Sequence, residues 1–171
     1  AVAGQTYVIQ GGGYDEARGD FPLHLELTVL PPDIALTSPP DDLDPAEDVA
    51  AMYALEGVPL PFTFTVANTG GGSLTGISAV ITGDHAAEFV LTTPPPDTLT
   101  DFQQAAFTVT FTPAVLGELR TATLTLTSSD PDESPIVITL QSVALSFTTD
   151  FDGDGLSDAS EYQLQALGFN L

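Results

Sequence analysis

The 171-residue sequence contains no cysteine, no tryptophan and no lysine, and its basic residues are Arg18 and Arg120. The absence of cysteine excludes a disulfide framework, a thiolate nucleophile and cysteine-ligated zinc. The absence of lysine excludes the phosphate loop that ends in Gly-Lys-Ser/Thr, although glycine triplets occur at 11–13 and 70–72. We therefore predict that both triplets form turns.

Acidic side chains dominate the charge, because 24 Asp and Glu residues against two Arg residues give a formal net charge of -22. A surface of this sign repels nucleic-acid phosphates and anionic lipid headgroups, so we expect no nucleic-acid partner. No apolar run reaches membrane-spanning length, so we expect no direct membrane insertion. The acids favour solubility in a salty medium, binding of divalent cations, or both.

Alternation of apolar and polar residues is the main secondary-structure signal. It occurs in five segments, at 21–29, 62–66, 107–112, 121–127 and 136–140. Threonine fills most of the polar positions, which suits the solvent face of a strand. One buried and one solvated face predict an all-β fold, an immunoglobulin-like antiparallel β-sandwich of about seven strands. The acidic stretch 39–48 is predicted to be a loop, and 46–51 allows one helical turn.

Three ordered pieces of sequence carry a family resemblance. Phe-Thr-Phe-Thr-Val-Ala-Asn-Thr-Gly occupies 62–70, a Phe-x-Pro corner at 111–113 is followed by Gly117, and Ser-x-Asp-Pro ends at Pro131. With these pieces, residues 57–145 resemble bacterial immunoglobulin-like repeats of the ASH (Hydin-type) family, often called choice-of-anchor D. The chain differs where that family has Leu-x-Gly-x-Ala, since Ser142 replaces the glycine. We assign this sandwich to residues 33–147.

A second resemblance concerns the first residues of the chain. Residues 1–31, with Gly4-Gln5-Thr6-Tyr7 and Gly19-Asp20-Phe21-Pro22, are similar to the last strands of a pre-peptidase C-terminal β-sandwich. We expect a terminal β-hairpin that is the remnant of a preceding domain. The two resemblances imply a structural or adhesive module of a longer exported bacterial protein, located extracellularly or at the cell surface, with other surface proteins or glycans as partners.

One motif predicts specific chemistry. Residues 150–161, Asp-Phe-Asp-Gly-Asp-Gly-Leu-Ser-Asp-Ala-Ser-Glu, match the calcium loop D-x-[DN]-x-[DN]-G-x5-E at every fixed position. Calcium takes six to eight oxygens, which alternating carboxylates around a glycine turn can supply. Leu156 is predicted to bind through its backbone carbonyl and the other ligands through side-chain oxygens, and Asp158 could bind directly or through water. The predicted ligands are Asp150, Asp152, Asp154, Leu156, Asp158 and Glu161.

The surroundings of this loop predict a single calcium clip. Residues 143–147 read as a strand where a paired sensor hand would have a helix, and a short helix is expected from 158 to 167, ended by Gly168. Residues 148–171 thus resemble the unpaired, EF-hand-like loops of thrombospondin type 3 and dockerin repeats. Single extracellular sites bind calcium at roughly 10⁻⁴–10⁻³ M, so we expect a structural role for the ion.

Other polar clusters give weaker signals. Asp130, Asp132 and Glu133, interrupted by Pro131, could form a second cation site, but Asp-Pro and Ser-Pro steps favour a turn. A loop role is likewise favoured for the acids within 41–44. The two histidines, His24 and His85, have no nucleophile or second histidine nearby in sequence. A surface or capping role is therefore favoured over catalysis.

Three functions are compatible with the sequence. The first is a non-catalytic structural or adhesive module stabilised by calcium, and we expect no enzymatic activity. The second is a carbohydrate-binding accessory module of a secreted hydrolase, which the lack of tryptophan disfavours. The third is a hydrolase, since folding could bring two carboxylates together for glycoside cleavage, although the Gly-x-Ser-x-Gly and His-Glu-x-x-His motifs are absent.

Overall fold

The computed structural model describes residues 30–37 and 49–168. The predictions for the hairpin, for the strand at 21–29, for His24 and for the acidic loop at 39–48 lie outside these ranges. The described elements are β1 Ile34–Thr37, β2 Val49–Leu55, β3 Leu60–Asn68, β4 Leu74–Thr75, β5 Ser78–Thr82, β6 Phe89–Thr93, β7 Thr98–Leu99, β8 Gln104–Phe111, β9 Arg120–Thr127, β10 Ile136–Leu145 and α1 Asp158–Ala166, with a 3₁₀ turn at Ala86–Glu88.

Two four-stranded sheets form the body of the molecule. The first has the order β1-β3-β8-β6, the second has the order β2-β10-β9-β5, and β4 pairs with β7 in a small separate ladder. Every pairing is antiparallel except that of β2 with β10. The predicted all-β, immunoglobulin-like β-sandwich is confirmed, and a parallel edge pairing is added to it.

Two local details differ from what the sequence indicated. Residues 49–51 belong to β2 and not to a helical turn, because β10 supplies a ladder in which Val49 lies opposite Thr139 and Leu55 opposite Leu145. This tertiary pairing outweighs the helix preference of an alanine-rich segment. The predicted strands at 136–140 and 143–147 are present as strand over 136–140 and 143–145, and they form one ten-residue strand, β10, because residues 141–142 keep the alternation of faces.

The core lies between the inner faces of the sheets. The strands alternate buried and partly exposed residues, so that phenylalanine, leucine and valine point inward while threonine points outward. Phe64 of β3 and Phe107 of β8 stack with ring centroids 5.1 Å apart, and both are fully buried. Phe89 and Phe111 make a second ring pair at 4.8 Å. The alternation seen in the sequence therefore specifies which face of each strand forms the core.

The chain passes from one pole of the sandwich to the other. The backbone N–H of Ile34, at the start of β1, donates a 2.7 Å hydrogen bond to Asp130 in the β9–β10 loop, so both lie at one pole. From there β10 runs for ten residues, or about 30 Å at a strand rise near 3.3 Å per residue. It ends at Leu145, at the opposite pole, immediately before the acidic loop of residues 150–161.

Truncation of a stacked ring tests this core. Phe107→Ala should lower the free energy of unfolding by about 3–5 kcal/mol, because it removes a fully buried ring and leaves a cavity. The matched control is Phe102→Ala, whose side chain is 74% exposed and whose loss should cost less than about 0.5 kcal/mol. Urea unfolding curves measure both, and equal losses for the two variants would contradict the assignment of the core.

Candidate metal centre

Three of the predicted calcium ligands come together at the pole where β10 ends. Asp150, Asp152 and Asp154 each place a carboxylate oxygen within 4.8 Å of the others, and all three are exposed. Successive alternate positions of a tightly turned loop point toward one centre, which is the geometry that the sequence spacing predicts. This cluster offers a hard cation three anionic oxygens and leaves access for water.

Backbone hydrogen bonds shape the loop around Asp150. Its two carboxylate oxygens accept from the N–H groups of Gly153 at 2.7 Å and Gly155 at 2.9 Å. The hydrogen bond from Gly155 in particular holds the pKa of Asp150 below its usual value, so this carboxylate stays ionised. Gly153 and Gly155 have φ angles of 77° and 100°, in the region that favours glycine, and this conformation turns the chain back on itself.

The remaining predicted ligands lie at the edge of this cluster. Asp158 starts α1, and its Oδ1 accepts a 3.1 Å hydrogen bond from the N–H of Phe151. Glu161 lies in the first turn of α1, where burial and then the negative charges of the loop aspartates raise the pKa of its carboxyl. Leu156 donates its N–H to Asp154, and the role of its carbonyl oxygen stays a prediction. Asp158 and Glu161 are not within the 4.8 Å group, so ligation by all six residues also stays a prediction.

The donor set is compatible with calcium. Every candidate side-chain ligand is a carboxylate. Calcium prefers such oxygen ligands, whereas soft metals prefer sulfur ligands. Burial first, and then the like charges of the loop aspartates, raise the pKa of Glu161, and a bound divalent cation would offset the repulsion among these carboxylates. If the ion binds, these residues hold it, and its contribution is to cross-link the loop to the start of α1.

A cleft of about 570 Å³ adjoins the loop on the outer face of β10. Val143 and Leu145 of β10 contribute apolar side chains, and Tyr162 and Gln165 of α1 contribute the opposite wall. The residues that line it are Gly117, Val143, Leu145, Thr149, Phe151, Asp152, Asp158, Glu161, Tyr162 and Gln165. Three predicted calcium ligands therefore also border a partly apolar cleft.

A second acidic cluster lies at the opposite pole. Oxygens of Asp33, Asp130 and Glu133 are within 4.8 Å of one another. Asp130 is buried and accepts backbone hydrogen bonds from Ile34, Asp132 and Glu133. The loop role predicted for Asp130, Asp132 and Glu133 is present in the structure, and binding of a cation there stays untested.

The pKa values of the carboxyl groups in this cluster are shifted in different directions. Burial raises the pKa of Asp130, but the three backbone N–H donors outweigh it, so the net pKa lies below the usual value. The pKa of Asp132 is raised by a side-chain hydrogen bond to Asp130, and that of Glu133 by a side-chain hydrogen bond to Asp33. The backbone donors thus favour the ionised form of Asp130, whereas the pKa values of Asp132 and Glu133 are raised by their neighbours.

Two polar residues have structural roles at the sandwich edges. His85 accepts a 3.0 Å hydrogen bond from the N–H of Thr121 through Nδ1, which is a capping role of the kind predicted. Asn68 is fully buried, and its amide accepts from the N–H groups of Asp33 and Gly70 and donates to the carbonyl of Gly72. Sequence reasoning placed Asn68 in a turn but did not identify it as the residue that fixes the entering chain.

Comparison with solved structures gives distant likenesses. A protein of unknown function from Porphyromonas gingivalis W83 is 13% identical with a TM-score of 0.51, covering 66% of this chain and 46% of that one. The ASH/PapD-like domain 7 of human CEP192 is 10% identical with a TM-score of 0.45, covering 66% and 85%. The periplasmic chaperone SfaE is 16% identical with a TM-score of 0.45, covering 71% and 61%.

At such identities the likeness shows the fold alone. This chain spans less than half of the Porphyromonas gingivalis protein that it resembles. No family model matches the sequence, and no curated protein matches it. Of the helices in the described ranges, none combines the length and the apolarity that crossing a bilayer requires. The molecule is an immunoglobulin-like β-sandwich with an acidic loop at one pole.

Substitution of Asp130 tests its role as an anchor. Asp130→Asn should lower the free energy of unfolding at pH 7 by about 1–3 kcal/mol, because backbone N–H groups at 34, 132 and 133 lose an ionised acceptor. Asp101→Asn is the matched control, since Asp101 is exposed and its loss should change stability by less than about 0.5 kcal/mol.

The same variant has a predicted pH dependence. A carboxyl whose folded-state pKa is lowered stabilises above its unfolded pKa, about 3.9 for aspartate, and loses that effect as the pH falls through the folded value. The stability gap between wild type and Asp130→Asn should therefore be largest above about pH 4 and shrink below it. Urea unfolding at pH 7 and pH 3 measures the gap, and a gap that widens in acid would contradict the assignment.

Proposed function

We propose that this chain is a non-catalytic structural or interaction module of an exported bacterial protein, stabilised by one calcium ion. The observation that supports calcium most directly is the convergence of the Asp150, Asp152 and Asp154 carboxylates within a loop whose spacing matches a calcium motif. A single site of this kind has an expected Kd of roughly 10⁻⁴–10⁻³ M, so extracellular calcium would keep it filled.

The path of the chain supports a spacer or stalk role. The chain enters beside Asp130 at one pole and leaves β10 at the other, so neighbouring segments would be held about 30 Å apart. The N–H of Asp33 donates to the side-chain oxygen of Asn68, and the hydroxyl of Thr69 donates to the Asp33 carboxylate, and these two hydrogen bonds fix the entry segment. The described chain is thus fixed at both poles of the sandwich, which suits a module that transmits orientation between neighbouring segments.

The surface charge supports an exported, protein-facing role over nucleic-acid binding. Of the two arginines, Arg120 is the one in the described residues, and its guanidinium is 3.5 Å from Glu88 and 3.3 Å from Glu118. This cation is therefore paired within the chain, and the other charged groups of the described residues are carboxylates. A partner that docks on such a surface would need basic groups or bridging calcium ions.

Calorimetric titration tests calcium binding. Wild type should bind one calcium ion in millimolar CaCl₂, and Asp152→Ala/Asp154→Ala should show no binding heat, because two of three converging ligands are lost. The matched control Asp84→Ala/Asp101→Ala removes the same charge from exposed positions elsewhere and should bind as wild type does. An absence of heat with wild type, or equal binding by both double variants, would refute the proposal.

A carbohydrate-binding module is the second candidate, and the cleft is the observation that favours it. Phe151 is 90% exposed and borders the cleft together with Tyr162 and Gln165, a combination that could stack on and hydrogen-bond to a sugar. The spacer proposal predicts no reproducible hit on a glycan array in calcium. A hit that disappears in Phe151→Ala but persists in Phe102→Ala would instead establish the second candidate.

A further inference from the structure

The helix that follows the acidic loop is too short to be stable by itself. It spans nine residues, and Ser157, the N-cap residue that precedes it, makes no side-chain capping hydrogen bond. Isolated helices shorter than about 12–15 residues are marginal in water, so tertiary packing must hold α1 in place. The contacts that hold α1 to the sandwich are therefore the contacts through which the loop and the sandwich influence each other.

Backbone and side-chain contacts attach the first turn of α1 to the end of β10. The N–H of Asp158 donates to the carbonyl of Thr149 at 2.9 Å, and the N–H of Ala159 donates to the carbonyl of Ser146 at 3.1 Å. The side chain of Ala159 is fully buried. A methyl group packed this closely leaves no room for a larger side chain without displacement of the helix.

The segment that joins β10 to the loop is itself fixed. Ser146 is 2% exposed, and its hydroxyl donates to the Glu56 carboxylate at 3.2 Å and accepts from the N–H of Thr148 at 3.0 Å. The same Glu56 carboxylate oxygen accepts from the N–H of Phe147 at 3.2 Å. Hydrogen bonds to Glu56 in the β2–β3 turn therefore hold the segment that leads into the loop.

A ring contact attaches Tyr162 of α1 to the second sheet. Tyr162 lies 5.9 Å, centroid to centroid, from Tyr53 of β2, which is opposite Val143 of β10 in the parallel ladder. Tyr162 directly follows Glu161, the predicted closing ligand. Binding of Glu161 to an ion in the loop would therefore restrain the residue next to Tyr162, whose ring contacts the sheet.

Charge opposes this docking when no cation is present. Glu161 lies in the first turn of α1, and the carboxylates of Asp150, Asp152 and Asp154 converge in the loop that precedes this turn. Like charges at this junction repel one another. A divalent cation among these carboxylates reverses the sign of the interaction and favours the docked helix.

We propose that the 150–161 loop, α1 and the sandwich form one thermodynamic unit, so that calcium bound by the loop stabilises the whole sandwich through the contacts at Ser146, Ala159 and Tyr53. This inference rests on the calcium binding proposed above. It differs from a clip that stiffens only the C-terminal segment, because it places the stabilisation in strands that contribute no calcium ligand. By reciprocity, contacts at Tyr53 and Ala159 also strengthen calcium binding.

Thermal unfolding of the β-sheet signal, followed by circular dichroism with EDTA and with calcium at ten times the Kd, tests the coupling. The Tm of wild type should rise by roughly 4 °C, since binding to the native state alone stabilises it by mass action. In Tyr53→Ala and Ala159→Gln, calorimetry should still detect calcium, with weaker affinity, and the Tm rise should be less than half that of wild type. Val90→Ala, an exposed position on β6, is the control and should keep the full rise.

The two proposals fail in different ways. If calorimetry shows wild-type binding while the Tm of the sheet signal is the same in EDTA and calcium, the coupling is overturned and calcium binding stands. Retention of the full rise in both Tyr53→Ala and Ala159→Gln also overturns it. If wild type gives no binding heat, both proposals are overturned. Because Tyr53 is 55% exposed, Tyr53→Ala should fold even if Ala159→Gln does not.

Discussion

Strand β10 is the element on which the rest of the structure depends. Its residues 136–142 pair with β9 on one side and its residues 139–145 pair with β2 on the other, and its inward residues Ile138 and Leu140 are buried in the core. Its first residue follows the loop that holds the entering chain, and its last residue precedes the acidic loop. Both polar clusters are therefore positioned by one continuous, doubly paired strand.

The two clusters illustrate two ways to accommodate carboxylates in a highly acidic protein. At the entry pole, burial would penalise the charge of Asp130, but three backbone N–H donors stabilise it without an ion. At the exit pole, Asp150 has comparable donors in Gly153 and Gly155, whereas burial and then the nearby aspartates disfavour the charged form of Glu161. The exit pole is therefore the one where we propose a cation.

Local patterns in the sequence predicted the parts of the fold that depend on local physics. The alternation of phenylalanine and threonine identified β3 and β8, and alternate aspartates identified the cluster at 150–154. Strand β2 was missed because Val-Ala-Ala-Met-Tyr-Ala-Leu has no polar alternation, and its strand state comes from pairing with β10. Strands β5 and β6 were missed because Ser-Ala-Val-Ile-Thr and Phe-Val-Leu-Thr-Thr do not alternate between apolar and polar residues.

Contacts between residues far apart in the chain could not be predicted in this way. The hydrogen bond from Ile34 to Asp130 joins positions 96 residues apart, and nothing in either segment alone specifies the other. The same holds for the contact of Tyr53 with Tyr162, which exists because β2 pairs with β10 in parallel. The predicted loop therefore proved to be attached to the sandwich by residues that the calcium motif does not include.

A crystal structure of the chain grown in calcium tests the central claim most directly. The account predicts one electron-density peak about 2.3–2.6 Å from oxygens of Asp150, Asp152, Asp154 and Glu161, with α1 seated against Tyr53. Loop aspartates that point apart into solvent, with no peak between them at millimolar calcium, would contradict it.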